Sequence, residues 1–353
     1  MNHYDVIVIG AGQAGLAIGY HLAQQDRRFT ILEAADGPAA AWRSRWDSLR
    51  LFTPVRHDSL PGLAFPGDPD HYPTRDEVVA YLTEYARRFD LPVEYDSPVR
   101  GLRREGDGYL VTLDDRTATA AQVVVATGPF QTPRTPALAD QLDPAVVRMH
   151  SGAYRSPEQI PAGPVLVVGG GNTGYQIAEE LSATHEVHLS IGARQTPLPQ
   201  RPFGRDIFTY LVATGLMKKT RDSRLGRRLR DRETLIGSSP RAARRQGIHL
   251  HGRTTGADGR SVTFTDGTSL EIASVIWATG FGLDHAWIDA PIFDADGAVE
   301  HERGVTRSPG LYFLGLPWQH TRGSALLGWV KDDAAHLATR ITTPGSRRGS
   351  ATA

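Results

Sequence analysis

Two short stretches carry the residue pattern that binds phosphate. They are Gly10-Ala11-Gly12-Gln13-Ala14-Gly15 and Gly169-Gly170-Gly171-Asn172-Thr173-Gly174. In a G-x-G-x-x-G run the first glycine makes a tight turn, the second lets backbone approach a pyrophosphate, and the third lets a helix close onto a strand. The helix that follows then presents free amide N–H groups and its positive dipole end to the anion. The pattern is informative only where a strand enters it and a helix leaves it, so the flanking elements decide its meaning.

Both runs have that context. The first follows the apolar, β-branched Val6-Ile7-Val8-Ile9 and opens an Ala/Leu-rich stretch to about Gln25, after which Phe29-Thr30-Ile31-Leu32 reads as a second strand. That strand ends at Glu33, where a carboxylate can accept hydrogen bonds from adenosine ribose hydroxyls. The second run follows Val165-Leu166-Val167-Val168, opens a helix through about Ala183, and is followed by the strand Val187-His188-Leu189-Ser190. Here Ser190 stands at the strand end, with Gly192 and Arg194 after it and no acid. A missing carboxylate and a nearby arginine suit a 2′-phosphate; the plainer reading leaves Arg194 facing solvent. Different strand ends imply different cofactors: FAD at the first cradle and a nicotinamide at the second, NADPH with NADH also accommodated.

Each unit has an echo in which a strand runs into Ala-Thr-Gly. One is Val123 to Ala126 with Thr127 and Gly128, the other Val275 to Ala278 with Thr279 and Gly280. A turn-rich alternating segment precedes each, Gly108 to Asp114 and Ser261 to Ile272, and reads as a β-meander. The repeat is far longer than a solenoid period, so it marks two related nucleotide domains. The strand-like Gly310 to Gly315 and a helical stretch from about Ser324 to Arg340 cannot form a domain alone and are expected to return to the first sheet. The predicted fold is α/β with two Rossmann-like dinucleotide-binding domains, the second inserted into the first. FAD is expected on 1–155 and 281–342, the nicotinamide on 156–280, and a Gly/Ser/Arg-rich tail covers 343–353.

Composition narrows the chemistry. The 353 residues balance 39 Lys+Arg against 39 Asp+Glu and are 40% hydrophobic, which gives no long-range field for nucleic acid or an anionic membrane. Cysteine is absent, so disulfide scaffolds, zinc ribbons and thiol redox centres are excluded, and redox work requires a cofactor. No stretch approaches ~18 apolar residues and no signal-peptide core is visible, so a cytoplasmic location is expected. The histidines show no ligand spacing with carboxylates, so no metal is expected. A basic run, Lys218, Lys219, Arg221, Arg224, Arg227, Arg228, Arg230 and Arg232, continuing in Arg241, Arg244 and Arg245, lacks interleaved aromatics and reads as a solvated helix face.

From the first glycine loop through Gly169–Gly174, Trp277-Ala278-Thr279-Gly280-Phe281 and the closing strand, the chain resembles the flavin-dependent monooxygenases with paired Rossmann domains. These are the flavin-containing, N-hydroxylating and Baeyer–Villiger group, and the match looks closest to the short bacterial members. The resemblance implies a small-molecule substrate with O2, a possible homodimer, and transfer of one oxygen to a sulfide, an amine or a ketone through a C4a-(hydro)peroxyflavin. It places Ala41-Trp42-Arg43 and Trp46 to Pro54 along the flavin, although by physics alone tryptophans at i and i+4 are more often core or loop packing. Where eukaryotic-type members carry an asparagine after the threonine, this chain has Pro54. The fingerprint F-x-G-x-x-x-H is half kept, with His150 and Tyr154 present and Pro144 and Val146 replacing its Phe and Gly. His150 reads as a hinge residue.

The expected cofactor-binding set is Gly10, Gly12, Gln13, Gly15, Glu33, Trp42, Thr127, Gly128, Gly169, Gly171, Asn172, Thr173, Gly174, Ser190, Arg194, Thr279 and Gly280. Leu316 to Ser324 follows the last strand and leads into the last helix, a position that faces ligands in open α/β sheets, so Gln319 and His320 are the candidates for polar catalytic contacts; a structural cap is the other reading. Two further functions fit the same motifs, an NAD(P)H oxidase or reductase passing electrons to another acceptor, and a flavin-binding redox sensor.

Overall fold

The computed structural model describes residues 2–193, 195–230 and 234–341. The expectations for Arg194, for Arg232 and for the tail from residue 343 lie outside the described residues.

Four consecutive buried residues in each of Phe29–Leu32, Val165–Val168, Val187–Ser190 and Ser274–Trp277 mark strands covered on both faces, as parallel sheets require. The first sheet runs Val93–Glu94, Phe29–Leu32, Asn2–Ile9, Thr117–Val125, Leu311–Phe313, all parallel. The strand Thr117–Val125 serves two partners on one edge. Its first half pairs antiparallel with Gly108–Leu113 of the meander, and its second half pairs parallel with Leu311–Phe313. The chain's last strand therefore completes the first sheet. The helix Gln13–Gln24 covers this sheet and packs against Val330–Arg340, the last helix, with Arg75–Arg88 alongside. Thr74 and Glu77 form a capping box that starts Arg75–Arg88. The expected helix from Ser324 is split: Arg322–Ala325 is a 3-10 turn and the α-helix begins at Val330.

The second sheet is also parallel, ordered His249–His251, Val187–Ser190, Val165–Val168, Ser274–Trp277, Val147–His150. Val147–His150 was assigned by sequence to the first unit, which was expected to run to residue 155. It pairs instead with Ser274–Trp277, so the second sheet starts before residue 156. The segment hides its membership because it is an edge strand, only partly buried, and its partner is remote in sequence. The second meander, Thr254–Asp258, Ser261–Phe264 and Ser269–Glu271, is a separate antiparallel sheet.

The chain crosses between the units twice, and the crossings pair with each other: Thr132–Pro133 lies antiparallel to Phe281–Gly282. His150 sits at this crossing. Its Nε2 is 3.0 Å from the Gly280 carbonyl, and its ring meets the edge of Phe281 at 4.7 Å between centroids. Burial and the nearby Arg45 lower its pKa.

From Thr196 the chain leaves the second sheet, and residues 200–217 lie against the first unit before Leu235 and Ala243 return to the second unit's core. Phe208 is buried and stacks on Phe52 at 5.9 Å, and Trp329 adds a third ring at 5.6 Å from Phe208. Asp206, buried, accepts from Tyr72 Oη at 2.6 Å, from Gln200 Nε2 at 2.8 Å and from the Phe208 amide at 2.7 Å. The two loop regions without readable pocket chemistry, near 52–75 and 196–245, thus meet in one wall through Phe52, Tyr72, Gln200, Asp206 and Phe208.

Candidate active site

The two glycine loops have the same backbone construction. Gly10 has φ +104° and Gly169 φ +130°, values that L side chains rarely adopt. At Gly15 an added Cβ would lie 1.9 Å from the Gly10 carbonyl oxygen, and at Gly174 it would lie 1.9 Å from that of Gly169. In each loop the third glycine is therefore required by the fold itself. Gly12 differs: it is the N-cap of Gln13–Gln24 with extended φ −73°, and a Cβ there would meet nothing within 4 Å. That open approach at a helix N-terminus is the cradle a pyrophosphate needs. Gly171 is the matching N-cap of Asn172–Leu181.

Side chains stiffen each loop. Glu33 ends its strand as expected, and its carboxylate accepts from the amides of Ala11 at 2.7 Å and Ala35 at 3.1 Å. It thereby ties the first loop to the second strand while keeping acceptor capacity for a ribose. The Trp42 indole N–H donates to Gln13 Oε1 at 3.1 Å, and Gln13 Nε2 reaches the Ala325 carbonyl at 3.4 Å. Trp42 thus orients a first-loop side chain. In the second loop Asn172 Nδ2 donates to the Thr234 carbonyl at 3.2 Å and Asn172 Oδ1 accepts from the Ile236 amide at 2.9 Å. Thr173 is the next residue of that helix. Gln131 Nε2 donates to Thr127 Oγ1 and to the Gly128 carbonyl, both at 2.8 Å, and Thr279 Oγ1 donates to the Arg134 carbonyl. Gly128 and Gly280 adopt φ +71° and +80°. The two Ala-Thr-Gly turns are therefore fastened to the crossing between units.

Three expected residues serve differently from the expectation. Ser190 is buried, and its hydroxyl donates to the Gly252 carbonyl at 2.9 Å while accepting from the Thr254 amide at 3.0 Å and Thr254 Oγ1 at 2.9 Å. It fastens the strand end and has no free capacity for a nucleotide. Gln319 is also buried, its Oε1 accepting from the Leu316 amide at 3.3 Å, and its amide nitrogen has no partner among the described residues. This is a turn brace. His320 has its backbone fixed by Ser324 Oγ and Arg221, while burial and Arg303 lower the pKa of its ring; Asp333 and Asp222 act in the opposite sense. Among the described residues neither the Gln319 nor the His320 side chain has a hydrogen bond to a glycine loop.

Other residues were missed by sequence. Arg253 lies beside the end of Val187–Ser190, donating to the Gly192 carbonyl at 2.9 Å, and a cavity of about 450 Å³ next to it is lined by Ile191, Gln195, Arg244 and His251. Arg244 comes from the helix Pro240–Arg245 before the parallel partner strand His249–His251, and Arg253 from just after that strand. At the crossing, the Arg45 guanidinium lies 4.3 Å from the Phe130 ring centre and 5.3 Å from that of Phe281, and burial with the adjacent Arg155 pulls its pKa down to about 10. Asp58 is fully buried beside Thr53, whose hydroxyl donates to it at 2.7 Å, and burial pushes its pKa up to about 7. None of these carries a motif, and only the fold gathers them.

A pair of pyrophosphate cradles on separate parallel sheets, with no cysteine in the chain, defines a flavin-dependent oxidoreductase that works without thiols. The chain belongs to the pyridine nucleotide-disulphide oxidoreductase family, whose profile matches residues 7–202. It is 43% identical, over 97% of its length and 99% of the other's, to a CzcO-like oxidoreductase of Geobacillus kaustophilus, and 37% identical to the CzcO oxidoreductase of Bacillus subtilis over 96% and 99%. Among solved structures it is similar to a flavin-containing monooxygenase from Stenotrophomonas maltophilia, with TM-score 0.81, 28% identity, and coverage of 97% and 98%. The expected resemblance to flavin monooxygenases therefore holds over nearly the whole chain, and the residues of both cradles suit a flavin and a nicotinamide cofactor.

Proposed function

We propose that this chain is an FAD-dependent monooxygenase that consumes NADPH and inserts one oxygen atom from O2 into a small soft nucleophile, a sulfide or amine, or into a ketone. The balance is substrate + O2 + NADPH + H+ giving oxygenated substrate + NADP+ + H2O. The observation that carries the reading is the repeated cradle: Gly12 opens onto one helix N-terminus and Gly171 caps another, on two units joined through a paired crossing. When bound, the flavin supplies hydride acceptance and oxygen activation. This chain's residues bind, orient and shield. Gly10, Gly12 and Gly15 with Glu33 hold FAD at the first loop, and Trp42 fixes Gln13 beside it. Gly169, Gly171 and Gly174 with Asn172 hold the nicotinamide dinucleotide at the second. The wall built from 52–75 and 196–245 keeps water from the reacting centre.

The preference for NADPH rests on cations and on a missing acid. Arg253 and Arg244 border the strand end where a rejecting carboxylate would stand, and Ser190 is turned inward. A charge-assisted contact to a 2′-phosphate is worth ~1.5–3 kcal/mol, so discrimination of about tenfold is expected for partly exposed arginines. The test of the function is stoichiometric. NADPH oxidised, O2 consumed, oxygenated product and H2O2 are measured together with a thioether, an amine and a ketone. Product matching NADPH one for one supports the reading; full release of H2O2 with every substrate sinks it in favour of an oxidase.

A further inference from the structure

The segment Thr321–Ala325 is hydrogen-bonded to Gln13 of the first glycine loop and is linked to Asn172 of the second through Thr234 of the strand Thr234–Ile236. On one side the Ala325 carbonyl accepts from Gln13 of the first loop at 3.4 Å. On the other, Arg322 Nη1 donates to Thr234 Oγ1 at 3.0 Å, and the carbonyl of that same Thr234 accepts from Asn172, the first helical residue after the second loop. The segment is rigid. Thr321 and Ser324 form a capping box, Ser324 Oγ accepts from the His320 and Thr321 amides at 3.0 Å each, and a Cβ at Gly323 would strike Trp329 at 2.8 Å. A bridge between Thr220 and Thr321 and a bond from the Arg221 amide to the His320 carbonyl at 2.8 Å pin it to the second unit's insert.

Among the described residues the guanidinium of Arg322 has no carboxylate partner. A guanidinium has five N–H donors, and here one bonds to a neutral hydroxyl. Burial lowers its pKa. Elsewhere the fold answers such a cation, as where Arg303 Nε meets the buried Asp333 at 2.7 Å. A half-buried cation between the two cradles, with no carboxylate partner among the described residues, suits an anion that arrives during turnover. Hydride transfer from the nicotinamide moves two electrons and one proton, so one net negative charge arrives at the first site.

We propose that Arg322 is a positioning residue that holds the negative charge of the reduced flavin and, through Thr234 and Asn172, makes the flavin's reduction potential depend on occupancy of the nicotinamide site. This rests on the assignment of the two cradles to a flavin and a nicotinamide. The alternative anion, a carboxylate on the substrate, would leave the substrate-free potential untouched.

The test uses the purified FAD-containing protein, with the midpoint potential read by dye equilibration in the presence and absence of NADP+. The parent's reduction equilibrium is expected to change at least threefold on adding NADP+. Arg322→Met is expected to make reduction about tenfold less favourable, which is about 30 mV for a two-electron couple, and to lose the response to NADP+. Arg322→Lys should recover the potential. Thr234→Val should keep the parental potential without NADP+ and lose the NADP+ response, with melting temperature and FAD content showing that each variant is folded. Arg322→Met with the parental potential and response overturns the proposal while leaving the cofactor assignment intact. A parent that holds FAD but shows no NADP+ response overturns the coupling alone, and a parent that binds no FAD overturns the cofactor assignment on which it rests.

Discussion

Replacing Gly12 and Gly15 by alanine, one at a time, separates what the first loop does for the fold from what it does for a ligand. At Gly15 the new Cβ would lie 1.9 Å from the Gly10 carbonyl oxygen and 3.0 Å from its carbon, both backbone atoms, so helix and strand must move apart by roughly an ångström. Overpacking of that kind costs ~1–3 kcal/mol, or more where backbone has to shift, and for a chain of this length ~1 kcal/mol is about 2 °C in Tm. At Gly12 the φ of −73° suits alanine and a Cβ meets nothing within 4 Å, leaving only the N-cap preference, roughly 1 kcal/mol or less. The expected result in FAD-free protein is a Tm within about 2 °C of the parent for Gly12→Ala and a drop of about 6 °C or more for Gly15→Ala. FAD titration by fluorescence quenching should then show Gly12→Ala weakened at least a hundredfold despite its intact fold. The reasoning fails if Gly12→Ala melts as low as Gly15→Ala, or if it binds FAD as tightly as the parent.

Three further outcomes follow from the same geometry. Asp58 has its carboxyl pushed up to about 7 by burial, so folding favours the protonated form and stability declines as pH rises from the unfolded pKa of about 4 to about 7. Asp58→Asn should therefore be close to neutral at about pH 4 and stabilising by up to ~4 kcal/mol at about pH 8; urea titrations in which the midpoint difference between variant and parent is the same at both pH values would contradict this. Arg303→Met leaves the buried Asp333 carboxylate without its partner and should cost ~3–5 kcal/mol near neutral pH, loosening the last helix, as read by amide exchange over residues 330–340. Arg253→Ala and Arg244→Ala should each raise KM for NADPH about threefold to tenfold and leave that for NADH unchanged; equal losses with both nucleotides would remove these arginines from a 2′-phosphate site.

The sequence by itself determined the local units. Strand, glycine loop, helix and terminal acid are contiguous from Val6 to Glu33, and their physics is short-range: apolar runs that must be covered on both faces, a turn only glycine can make, and a carboxylate that folds back on the loop amides. The absence of cysteine excluded thiol chemistry without any coordinates. Tertiary structure alone decided what depends on pairing across long separations. Val147–His150 joined the second sheet because an edge strand takes its identity from its partner, Ser274–Trp277. Ser190 stood at the expected place but spent its hydroxyl on Gly252 and Thr254, which the parallel strand His249–His251 brings alongside. Gln319 and His320 were placed by analogy with strand ends, whereas the link toward the second loop runs from Arg322 to Thr234, a partner that no spacing rule connects to it. Glycine turns are dictated by steric limits within a few residues, whereas the partner of a side chain such as Arg322 is decided by contacts between segments far apart in sequence.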